Sequence, residues 1–95
     1  MTYLDRALEN LESVADDTTF SEVTHHLITA MPKADKKTRL DLSIKLETLK
    51  VHYYSKMAES LALRWKNVAR SYHEDAHYAF NRLMNLYSQL PEEEN

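Results

Sequence analysis

Residues 36–90 read KKTRLDLSIKLETLKVHYYSKMAESLALRWKNVARSYHEDAHYAFNRLMNLYSQL, with neither glycine nor proline anywhere along the stretch. One apolar stripe can be followed through it: Leu42, Leu46, Leu49, Tyr53, Met57, Leu61, Trp65, Val68, Tyr72, Ala76, Ala79, Leu83, Leu86 and Leu90. Its mean step is about 3.7 residues, close to the period of a straight α-helix. Over the last third, Tyr72, Ala79 and Leu86 lie seven apart, as do Ala76, Leu83 and Leu90. That is an a/d seam of about three heptads, with small residues early and leucines late.

Two architectures satisfy this pattern. In one, a single helix roughly 80 Å long must find a partner for its stripe, because two short helices cannot cover it. In the other, the helix breaks and folds back on itself. Ser71-Tyr72-His73-Glu74 has the S-x-x-E form of a capping box and is the first candidate for a new helix start, with Ser55–Ser60 a second break point.

Upstream, Asp35 is the expected N-cap of the long stretch and Pro32 ends whatever helix precedes it. Thr19-Phe20-Ser21-Glu22 matches T-x-x-E and predicts a short helix with Phe20, Val23, Leu27, Ile28 and Met31 on its apolar side. Asp16-Asp17-Thr18-Thr19 predicts a break before it. A first helix is expected from Thr2 to about Ala15, carried by Leu4, Ala7, Leu8, Leu11 and Val14. The fold class is therefore all-α: a small helical bundle with two short N-terminal helices and a long C-terminal helix or helical hairpin. Residues 1–90 form one domain, and 91–95, Pro-Glu-Glu-Glu-Asn, form a disordered acidic tail.

Composition agrees. The 95 residues contain no glycine, two prolines and no cysteine. A β-rich domain needs turn positions that glycine fills best, and without cysteine there are no disulfides or thiolate sites. No apolar run approaches a membrane span, and Met1-Thr2-Tyr3-Leu4-Asp5 lacks the pattern of a signal peptide. The expected location is cytoplasmic. The net charge of −3 is unevenly spread. Residues 1–30 hold one base against six acids, residues 31–70 ten bases against four acids, and residues 71–95 one base against five acids. The basic middle suits an acidic partner, the chain's own ends or a second copy.

Several patterns resemble chemical sites. His73-Glu74-Asp75-Ala76-His77 has the H-E-x-x-H form in which two histidines one turn apart hold zinc and the glutamate is a general base. Glu22-x-x-His25 and Glu74-x-x-His77 resemble the paired E-x-x-H ligands of di-iron bundles, with Glu47 or Glu59 as further carboxylates. Arg70 and His77, six residues apart, resemble the R-x(4–6)-H pattern of the HEPN family of helical ribonucleases, which would imply RNA cleavage through that pair. His25, His26 and His52 carry no further pattern. The plainer reading sets these side chains on a solvated helix face, and no catalytic residue, metal or cofactor is assigned.

The basic residues Lys33, Lys36, Lys37, Arg39, Lys45, Lys50, Lys56, Arg64, Lys66 and Arg70, interleaved with His52, Tyr53, Tyr54 and Trp65, also suit nucleic acid. The sequence pI of about 5.9 does not resemble that of most such domains. The reading adopted is a protein-interaction module, a regulator or inhibitor that masks a partner and pairs with itself. Tyr53, Tyr54, Met57, Arg64, Trp65, Lys66, Arg70, Tyr78, Phe80 and Tyr87 are the expected contact residues, because aromatic, Met and Arg side chains are enriched at interfaces. Tyr72, Ala76, Ala79, Leu83, Leu86 and Leu90 are the expected oligomer seam. Nucleic-acid binding through the basic middle, and a metal-dependent or HEPN-like hydrolase through His73 and His77, are the alternatives.

Overall fold

The computed structural model describes Arg6, Glu9 and residues 17–90. The stripe from Leu4 to Val14 and the tail 91–95 lie outside the described residues. Arg6 and Glu9 are helical and exposed. The remaining elements are α1 (Asp17–Ala30), a 3-10 turn (Met31–Lys33), α2 (Lys36–Leu61) and α3 (Lys66–Ser88), with no strand among the described residues. The chain is all-α, and the long glycine-free stretch is a hairpin.

Helix α1 begins at Asp17, ahead of the expected Thr19 box, so Asp17, Thr18 and Thr19 are helical and do not break the chain. Acidic and hydroxyl residues in a first turn suit the positive end of the helix dipole, and local propensity is a weak prior against packing. The packing is strong here. Val23 and Leu27 are fully buried and meet Leu42, Leu46 and Leu49 of α2. Phe20, Met31 and Ala34 close the edge of this core. Burying each such side chain contributes about 1.5–3 kcal/mol before chain entropy is set against it.

Pro32 sits at the start of the 3-10 turn, as its missing N–H allows. The Thr38 amide then donates to Asp35 Oδ1 at 2.8 Å, so the expected N-cap is in place. That hydrogen bond holds the Asp35 carboxyl below the usual carboxylate range. The Arg39 guanidinium folds back over the corner and donates to the carbonyls of Met31 (3.4 Å) and Ala34 (3.1 Å).

The fold-back falls at neither expected break. Ser55–Ser60 belongs to α2, and Ser71–Glu74 is helical, a full turn inside α3. The turn is Ala62-Leu63-Arg64, followed by Trp65 at φ −132°, ψ 66°. No described residue has a positive φ, which is how the turn closes without glycine. The helices pack along their length, and α3 presents Ala69, Ala76, Ala79 and Leu83, all buried. Where α3 starts is decided by which alanines reach α2, because a small side chain lets two helix backbones come close.

Candidate interaction surface

The hairpin divides the expected contact residues into two groups. Tyr53 is 5% exposed, and its ring stacks on Phe20 of α1 with centroids 3.9 Å apart and planes at 10°. The half-buried Tyr54 ring lies 5.8 Å from Phe20, 5.7 Å from Tyr53 and 6.1 Å from Tyr72 of α3. Met57 is also half-buried. An aromatic cluster therefore joins α1, α2 and α3. Burial, and then the negative charge of Asp75, push the Tyr54 hydroxyl above its ordinary pKa. Tyr53 and Tyr54 are expected as contacts from residue type, since aromatic side chains are enriched at interfaces; in the fold the Phe20 ring of α1 lies against both.

The second group is exposed. Arg64, Trp65 and Lys66 form the tip, beside Leu63 and Val68, with Leu63 93% and Trp65 60% exposed. Phe80, Met84 and Tyr87 occupy one stripe of α3 at i, i+4 and i+7, each a little under half exposed. His77 and His73 continue that stripe toward the tip, one and two turns before Phe80, and Arg70 lies near its end. Tyr78 is exposed on the opposite side of the helix. Leu63, Val68 and Met84 were missing from the sequence-based set. Met84 was legible, four residues after Phe80 and three before Tyr87.

The expected oligomer seam is placed differently. Ala76, Ala79 and Leu83 are buried within the single chain, and Tyr72 and Leu86 are half-buried; only Leu90 is exposed. In the hairpin this seam faces α2 and closes one chain on itself. It lies one residue out of step with the exposed stripe, so α3 has an inner apolar seam and an outer one.

Polar groups line the other flank. Arg82 Nε lies 3.2 Å from Glu47 Oε1, and Lys50 Nζ lies 3.5 Å from the same oxygen. Glu47 is 7% exposed, and its Oε2 is buried without a hydrogen-bond partner, as is Nε2 of the half-buried His52.

The hairpin also divides the basic middle. Lys33, Lys36 and Lys37 stand at the open end, and Arg64, Lys66 and Arg70 at the tip, separated by the roughly 39 Å of α2. Between them, Lys45 pairs with Asp41 at 3.0 Å and Lys50 with Glu47. His73, Glu74 and His77 are all exposed on α3, as are Glu22, His25 and His26 on α1 and Glu59 on α2. Among the described residues no three His, Asp or Glu side chains converge as a metal ion requires, and no helix is long and apolar enough to cross a membrane. The chain matches no protein-family model, no curated protein and no solved structure.

Proposed function

We propose that this chain is a small cytoplasmic protein-interaction module, a regulator or inhibitor that covers a partner protein's working surface and also pairs with itself. The observation that carries the reading is the outer stripe of α3. Phe80, Met84 and Tyr87 stand beside a seam of α3 that is already packed, and each keeps a little under half of its surface exposed. A row of apolar anchors at i, i+4 and i+7 is what a helix offers to an apolar groove. His73, His77 and Arg70 extend it with polar contacts of the kind found at interface rims.

Phe80→Glu tests this. The wild-type chain is used to isolate its partner, and the two affinities are compared by calorimetry. Loss of one buried aromatic anchor should weaken binding at least tenfold, since burying a phenylalanine is worth about 1.5–3 kcal/mol. An unchanged Kd removes the stripe from the interface.

A further inference from the structure

We infer that the tip of the hairpin is an interface for a second copy of this chain, reached when residues 61–66 straighten and two chains exchange α3. This rests on the self-pairing part of the reading above and gives it a structural route.

The turn is already close to helical. Ala62 has φ −57° and ψ −35°, inside the right-handed helical region. The Trp65 amide donates to the Leu61 carbonyl at 2.8 Å, which is the i to i−4 bond of an α-helix, and the Ala69 amide donates to Trp65 in the same way. Trp65 marks the bend. Nothing in the sequence there demands one: the residues are Ala, Leu, Arg, Trp and Lys, with no glycine, proline or positive φ. Helix α3 also begins without a side-chain cap. In a continuous helix the first amides of α3, at Lys66, Asn67 and Val68, gain the carbonyls of Ala62, Leu63 and Arg64 as acceptors.

The stripe gives the second argument. Tyr53, Met57, Leu61, Trp65, Val68 and Tyr72 carry it through the tip without interruption. The hairpin leaves Trp65 60% and Val68 45% exposed. A tip that only turns the chain around has no use for these residues. A straight helix joins them to the buried seam on either side, and an antiparallel second copy covers them at the two-fold axis. Each α3 then packs on the other chain's α2, so pairs such as Glu47 with Arg82 re-form between chains and the tip contact is added.

Lys66→Pro separates the two shapes. Lys66 is the first residue of α3, where proline is favoured, and the preceding Trp65 is already outside the helical region. Inside a continuous helix the same proline removes a hydrogen bond and clashes with the preceding turn. Wild-type protein refolded at high concentration should show, by light scattering, a species of twice 11.2 kDa. Its longest dimension by small-angle scattering should approach the roughly 80 Å of a straight helix over residues 36–88, against 47 Å here. Lys66→Pro should remain a monomer with unchanged helical content. If that variant folds poorly, the double substitution L63G/R64G at the exposed turn serves in its place and should lower the dimer fraction. A wild type that stays monomeric overturns both the exchange and the self-pairing. A dimer that persists in the turn variants overturns the exchange, and its loss in Phe80→Glu then assigns self-pairing to the outer stripe of α3.

Discussion

Arg82 of α3 places its Nε 3.2 Å from Oε1 of Glu47, a carboxylate that α2 holds almost out of water. The pair fixes which turn of α3 faces which turn of α2, a register that alanines alone would leave loose. Arg82→Ala should cost about 1–2 kcal/mol by urea unfolding, because Glu47 keeps only the longer contact with Lys50. The figure is held down by the half-exposed arginine side chain. Replacing both partners, as Glu47→Leu with Arg82→Leu, should restore most of the loss. A double variant as unstable as the single one would show that the pair contributes by more than removing an unpaired charge.

Ala79 and Phe80 are neighbours with opposite fates, one fully buried and one 45% exposed. Ala79→Leu should destabilise by about 1–3 kcal/mol, because a larger side chain forces α2 and α3 apart. Phe80→Ala should change stability by no more than about 0.5 kcal/mol. Thermal melts of the two variants check both, and equal effects would mean that the packing on α3 is not as placed.

Leu49 has no exposed surface and belongs to the core that α1 and α2 share. Leu49→Ala should cost about 2–5 kcal/mol. That is a large share of the stability of a chain this size, so chemical denaturation should find it close to unfolding.

Tyr54 should contribute to the loss of stability in alkali. Its folded-state pKa is raised above the ordinary tyrosine value of about 10, so the native state holds the proton more tightly than the unfolded chain. The associated stability is fully present below about pH 10 and is lost as pH rises from there through the folded-state value. Tyr54→Phe should flatten the decline measured by circular dichroism above about pH 10. An unchanged slope would assign that decline to other groups.

The parts of the fold legible in the sequence are those set by neighbouring residues. Pro32 and Asp35 ended one helix and started the next because their backbone chemistry allows little else. Leu42, Leu46, Leu49 and Tyr53 showed their burial by spacing alone. The turn at Ala62–Trp65 was hidden because it is built of good helix formers and positioned by the distant fit of Ala69, Ala76 and Ala79 on α2. The capping box at Ser71 is a local signal that this fit overrides. Part of the candidate surface is instead packed against α1, a contact that aromatic residue type alone does not reveal. Tyr53 and Tyr54 belong to the aromatic cluster with Phe20, while Phe80 and Tyr87 stay exposed because their spacing on α3 does not depend on the turn.

Trp65 is the chain's sole tryptophan, and it stands at the bend, more than half open to solvent. The molecule thus carries a built-in optical reporter at the position where its folded-back and straightened forms differ most. The five described tyrosines lie elsewhere, and excitation selective for indole reads the state of the tip separately from them, without any label added.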